Sequence, residues 1–182
     1  MDDVKFLHMQ EGDKTLIDRI NQQLEDEESW KEKIISVILN EVTPSGFERL
    51  IQRFLREKGF EQVEVTGHNN DGEIDLRGIA KINGILSFHI IIQCKRYGGK
   101  VFSKEIRDFR GTMGGRTDKG LFITTRNFTY NALAEATRDA APTIDLIDGN
   151  KLAEKLKELN LGVKLEIVEK VAVDEEWFER FE

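Results

Sequence analysis

The stretch "HIIIQCKRYGGKV", residues 89–101, decides the fold. It opens as a strand meant for a protein interior, changes character at Gln93, Cys94 and Lys95, and runs at once into arginine, tyrosine and two glycines. A lysine at the end of a buried strand is costly unless something charged needs it there. Alternate side chains of a strand share a face, so Gln93 and Lys95 project together while Cys94 points to the opposite side as a small core thiol.

On the N-terminal side, "KINGILSF" holds an Asn-Gly pair between apolar runs, which predicts a hairpin whose second arm is the opening strand, Leu86 to Lys95. Before it, "HNNDGEIDLRG" reads as a turn-rich loop leading into a short strand over Ile74 to Leu76, and "FEQVEVTG" alternates as another strand. "TPSGFERLIQRFLREKGF" predicts an amphipathic helix with Phe47, Leu50, Ile51, Phe54 and Leu55 at helical spacing and Gly59 at its end. Thr43 with Pro44 is one capping arrangement for it, and Ser45 with Glu48 is a competing capping box. "WKEKIISVILNEV" predicts a largely buried helix ahead of it.

On the C-terminal side, "SKEIRDFRGTMGG" reads as a helix capped by Ser103, with Ile106, Phe109 and Met113 inward and Lys104, Arg107 and Arg110 outward. "KGLFITT" and "TIDLID" read as strands, "TYNALAEATRDAA" and "GNKLAEKLKEL" as helices. The order is a helix, antiparallel strands, then β-α-β-α units, which makes an α/β fold with a mixed central sheet flanked by helices. Residues 1–29 form an acidic arm or linker, 30–160 the main domain, and 161–182 an extension packed on it with an aromatic anchor at Trp177 and Phe178.

With 39% hydrophobic residues among 182, the chain can bury a core, and two prolines leave no room for a long disordered linker. No run reaches the length of a membrane span. A single cysteine cannot build a disulfide framework, so the expected home is a reducing cytoplasm, and three scattered histidines offer no zinc cluster. The net charge of −7 conceals a dipole: residues 95–126 hold nine basic side chains against three acidic ones. An acidic body with one basic face suits a phosphate-bearing partner. Arg96, Lys100, Lys104, Arg107, Arg110, Arg116 and Arg126 are the candidate contacts.

Asp75 and Glu48 complete the chemistry. If helix and strands pack together, Glu48, Asp75, Gln93 and Lys95 converge on one cleft. Phosphodiester hydrolysis needs an activated water and neutralisation of charge gathering on phosphorus, and a hard divalent cation held by oxygen donors serves both needs. In this reading Asp75 is the principal ligand, Gln93 lends a carbonyl oxygen, Glu48 holds the metal or its water shell, and Lys95 acts electrostatically on water or phosphate.

"TPSGFERLIQRFLREKGF", "GHNNDGEID", "IIQCKRYGGKV" and "IRDFRGTMGGRTDKGLFITTRNFT", in that order, resemble the Mrr-type branch of the PD-(D/E)xK nucleases, and the likeness runs to the "DEEWFE" ending. The resemblance implies a restriction-endonuclease-like fold and Mg²⁺-dependent cleavage of double-stranded DNA, with Mn²⁺ as a substitute, in restriction of foreign or methylated DNA. It maps Asp75, Gln93, Lys95 and Glu48 onto the family's catalytic positions. Glu73 stands where the family commonly has glycine and is expected to be a solvent-exposed bystander. The N-terminal arm is too short for the winged-helix recognition domain of full-length members, so the residues give no basis for reading methylation. Paired cuts of a duplex call for two sites, hence a homodimer. A non-cleaving DNA-binding module on the same fold, and an RNA or junction nuclease, are the alternatives.

Three other signals read as structural. His68 with Asn69 and Asn70 is a polar turn, Gly111, Gly114 and Gly115 form no phosphate loop because they follow a helix, and Thr124, Thr125 and Arg126 suit either a phosphate contact or a helix cap.

Overall fold

Thr43 and Pro44 settle the start of the amphipathic helix. Thr43 Oγ1 accepts the Gly46 N–H at 3.1 Å with Pro44 in the first turn, so the competing box through Ser45 and Glu48 gives way. The helix, α2 (Pro44–Glu57), ends where Gly59 takes φ +86°, a conformation that favours glycine. A computed structural model describes residues 29–66, 74–115, 117–166, 169 and 171–181. A first helix, α1, covers 29–41 of these. The expected acidic arm, His68 to Glu73, and Arg116 lie outside the described residues, apart from the last position of the arm.

Five strands form one sheet in the order β1 (Glu61–Val65), β2 (Leu76–Ile82), β3 (Leu86–Lys95), β4 (Lys119–Thr124) and β5 (Ile144–Ile147). β1, β2 and β3 pair antiparallel, and β3, β4 and β5 pair parallel. The β2–β3 hairpin turns on Asn83 and Gly84 with φ of +51° and +69°, the backbone that the Asn-Gly signal requires. A register shift between Glu61 and Glu64, with Gln62 at φ +49°, marks a bulge in β1. Beside it, Gln52 Nε2 and Arg56 Nη2 of α2 both donate to the Val63 carbonyl, at 2.9 and 2.7 Å.

Strand alternation divides the core between the two faces. Ile90 and Ile92 of β3, with Leu121 and Ile123 of β4, join α1, α2 and α5 (Gly149–Glu158) through Ile35, Phe47, Ile51 and Leu152. Ile91 and Phe122 face the other way, against α3 (Ser103–Met113) and α4 (Tyr130–Ala136) through Ile106, Phe109, Met113 and Ala132. On that face, Phe122 meets Phe109 and Phe128 edge-on at 5.8 Å. Helices on both faces of a mixed sheet are the predicted architecture.

Three expectations need correction. Ser103 is not the cap of α3: the helix begins at Ser103 itself, and the Glu105 carboxylate accepts the Phe102 N–H at 3.2 Å. The strand over Ile74 to Leu76 does not stand alone, because Leu76 opens β2 and Asp75 lies just ahead of it. The aromatic anchor of the tail does not enter either core. Trp177, Phe178 and Phe181 remain exposed and pack on one another, with Trp177 centroids 5.0 and 4.9 Å from the two phenylalanines. The helix that carries them, α6 (Glu175–Phe178), is a single turn, too short to press an apolar face onto the body.

Candidate active site

The strand β3 ends where two kinds of pairing meet. On one side, β2 pairs Leu76 with Ile92, and Asp75 stands one residue beyond that pair. Its N–H donates to the Ile92 carbonyl at 3.0 Å, and its own carbonyl accepts the Thr66 N–H at 3.0 Å. Ile74 packs on the α3/α4 face and Leu76 on the α2/α5 face, so regular alternation breaks at Asp75. The side chain then reaches along the sheet: Asp75 Oδ2 accepts the Cys94 N–H at 2.6 Å. The carboxylate therefore lies against the middle of the Gln93–Lys95 segment.

Gln93, 3% exposed, lies on the α3/α4 face in register with Phe122, and Lys95 follows it on that face in register with Thr124. The Lys95 side chain is half-buried, and no salt bridge among the described residues includes it. A structural Asp75–Lys95 ion pair, the bland explanation of a lysine at a strand end, is therefore not formed. Glu48 comes from the opposite face. It is half-buried on α2 and helps line an open groove of about 500 Å³ with Ser45, Arg49, Gln52, Glu64 and Val65.

Cys94 links the two acids. It packs with Ile90 and Ile92 on the α2/α5 face, opposite Gln93 and Lys95 as alternation requires. Burial first, then the nearby Asp75 carboxylate, then that of Glu48, hold its thiol well above the usual range. The thiol packs into the apolar α2/α5 core, and the oxygen donors on offer here are the Asp75 and Glu48 carboxylates and the Gln93 amide. That set suits a hard cation such as Mg²⁺ or Mn²⁺. Among the described residues no three His, Cys, Asp or Glu side chains are grouped to enclose a metal ion. A cation held here would keep much of its water, as Mg²⁺ does with one or two carboxylates.

The parallel side supplies what the sequence did not reveal. Thr125, just past β4 and 2% exposed, uses its hydroxyl twice: Oγ1 accepts the Tyr97 N–H at 3.1 Å and donates to the Tyr97 carbonyl at 3.2 Å. Its own N–H donates to the Lys95 carbonyl at 3.3 Å. Thr125 is therefore neither of the roles expected from the sequence, and Thr129 is the cap of α4. The available signal was a pair of buried threonines at the end of an apolar strand, but the Tyr97 partner of Thr125 lies 28 residues away.

The basic residues divide as well. Lys100, Lys104, Arg107 and Arg126 are exposed, with Lys104 paired to Asp108 at 2.7 Å. Arg96 is half-buried and donates to the Leu39 carbonyl of α1. Arg110 is a correction. It is 8% exposed, faces Glu135 of α4 at 3.6 Å, and donates to the carbonyls of Glu135 and Pro142. Its guanidinium ties α3 to the end of α4 and is not offered to a partner. No helix among the described residues is long and apolar enough to cross a membrane.

Comparison with known proteins agrees with this architecture. The chain is 28% identical over 171 residues to the type IV methyl-directed restriction enzyme EcoKMrr of Escherichia coli K12, with 89% of this chain aligned. It spans about half the length of that relative, 54%. Among solved structures it resembles the DNA modification-dependent restriction endonuclease AspBHI, with a TM-score of 0.62 and 21% identity over 71% of this chain and 35% of the other. It also resembles the MspJI restriction endonuclease in complex with a 27-mer oligonucleotide, with a TM-score of 0.50 and 20% identity over 73% of this chain and 31% of that one. At such identities the two structures speak for the fold alone. A family model for the Mrr catalytic domain, described as restriction endonuclease, matches residues 39–156, and the chain accordingly belongs to that restriction-endonuclease family.

Proposed function

We propose that this chain is the cleaving domain of a Mg²⁺-dependent restriction endonuclease that hydrolyses phosphodiester bonds of double-stranded DNA, with foreign or methylated DNA as its target. The observation that carries the reading is the Asp75 carboxylate set against the Cys94 amide, in the middle of Gln93-Cys94-Lys95. Asp75 and the Gln93 carbonyl oxygen hold the cation, and Glu48, from α2, orders the water around it. When bound, a divalent cation supplies positive charge to the scissile phosphate and makes nearby water more acidic. Lys95, free of any acid partner within salt-bridge reach among the described residues, directs its ammonium charge at the attacking water or the phosphate as negative charge develops there. Lys100, Lys104, Arg107 and Arg126 follow the DNA backbone; each phosphate contact steepens the fall of affinity with salt. A homodimer would place two such sites on the two strands. The similarity to a methyl-directed enzyme supports the methylated target.

Nicking of supercoiled plasmid, methylated and unmethylated, tests the reading. Lys95→Ala and Asp75→Ala should each lower the Mg²⁺-dependent rate by about 10²-fold or more, with circular dichroism unchanged. Equal cutting by wild type and both variants would remove these residues from the reaction. DNA binding without cutting on either plasmid would assign the chain to a non-cleaving module instead.

A further inference from the structure

Outside the proposed catalytic set, polar contacts from the end of β4 hold the chain at and immediately after Lys95. We infer that Thr125 is a positioning residue for Lys95: its hydroxyl and backbone amide clamp residues 95–97 so that the ammonium is presented at a fixed place. The inference rests on the reading of Lys95 given above.

Three contacts make the clamp. The Thr125 N–H donates to the Lys95 carbonyl at 3.3 Å, and the Thr125 hydroxyl accepts the Tyr97 N–H at 3.1 Å and donates to the Tyr97 carbonyl at 3.2 Å. Beyond them lie Gly98 and Gly99, which impose little on the backbone, and the chain is pinned again at Val101, whose N–H donates to Asn127 and whose carbonyl accepts from Thr129. Without the threonine, the segment between Lys95 and Val101 would depend on glycines for its path. Arg96 within it is tied to α1 through the Leu39 carbonyl.

The clamp is itself held from behind. A Cβ on Gly149 would fall 2.4 Å from the Thr125 carbonyl oxygen, a separation no side chain tolerates, so only glycine lets the start of α5 press on that backbone. The Gly149 N–H donates to the Arg126 carbonyl at 3.2 Å, and the Thr124 hydroxyl accepts the Arg126 N–H at 3.2 Å. Thr125 is thus fixed by neighbours that take no part in the chemistry. A misplacement of about 1 Å at a reacting group can cost about a hundredfold in rate, so a hydroxyl that never touches substrate can still set turnover.

Thr125→Val keeps the shape and removes both side-chain bonds, and Thr125→Ser keeps the bonds. With plasmid as substrate, Thr125→Val should lower kcat by about tenfold to a hundredfold with KM little changed, and Thr125→Ser should retain most of the activity. Hydrogen exchange should show the Tyr97 amide less protected in Thr125→Val and protected in Thr125→Ser. Full kcat in Thr125→Val, in an assay where wild type cuts and Lys95→Ala does not, would overturn the inference while leaving the reading of Lys95 intact. Equal loss in the valine and serine variants would overturn it too, because it would show a need for threonine's shape, not its hydroxyl. If wild type cuts no DNA, the reading of the site fails and the positioning role falls with it, while exchange at Tyr97 still reports whether the clamp forms.

Discussion

The two halves of the sheet share β3 and are built by opposite means. The antiparallel half is local: β2 and β3 close on Asn83 and Gly84, and Arg77 and Lys81 leave β2 open in places to solvent. The parallel half is non-local. β4 is buried along almost its whole length, and Thr124 and Thr125 follow into the interior. The acid that the proposed chemistry needs comes from the local half, at a point where strand alternation breaks. The clamp on the residues after Lys95 comes from the packed half. The two halves meet at β3, and the lysine of the proposed site stands at its end.

The contrast should show first in stability. Phe122→Ala, in the packed half, removes a ring with no exposure that touches Phe109 and Phe128, and should cost about 3–5 kcal/mol in chemical denaturation. Gly84→Ala, at the hairpin, places a side chain on a residue at φ +69° and should cost about 1–2 kcal/mol. Costs of equal size would erase the distinction between the halves.

The basic face sharpens it next. Arg110→Ala leaves Glu135 with Arg138 at 3.5 Å as its remaining partner and should destabilise by about 3 kcal/mol, as breaking a buried pair does. Arg107→Ala should leave stability within about 0.5 kcal/mol and instead weaken DNA binding with a shallower salt dependence. Anisotropy titrations at several salt concentrations, beside denaturation curves, separate the two.

The smallest effect concerns α5. The Lys31 ammonium at 2.6 Å from Glu154 lowers that carboxyl's pKa, and Lys155 and Lys58 lower that of Glu158. Native values below the unfolded ones give stability that is present above the unfolded carboxylate range, about pH 4.3, and is lost as pH falls through the depressed native values. These pairs are exposed, so the expected change in melting temperature on acidification is slight, and Lys31→Ala with Lys58→Ala should reduce it further.

The local half was the more legible in the sequence. The Asn-Gly turn, the "FEQVEV" strand and the helix start near Thr43 each carry their cause within a few residues: the turn and the strand formed, the strand with a bulge at Gln62, and of the two caps read for the helix the Thr43-Pro44 one formed. The limits of β3, Leu86 to Lys95, were read from its apolar run. Arg110 misled because the helical period places it beside Arg107 on an outward face, and nothing local says that α4 covers that face. Thr125 was misread for a related reason: a hydroxyl's partner 28 residues away cannot be seen from its neighbours. Asp75, Gln93 and Lys95 were singled out by type and spacing as candidates, but the contact that joins the acid to β3 runs through the Cys94 amide, a backbone group that no motif names.

The most direct test of the account is where a cation settles. Crystals grown with Mn²⁺, with anomalous scattering recorded at its absorption edge, should show one peak at about 2.1 Å from an Asp75 carboxylate oxygen, with Gln93 Oε1 turned toward it. A peak elsewhere on the domain, with the Asp75 carboxylate still on the Cys94 amide, would contradict the account.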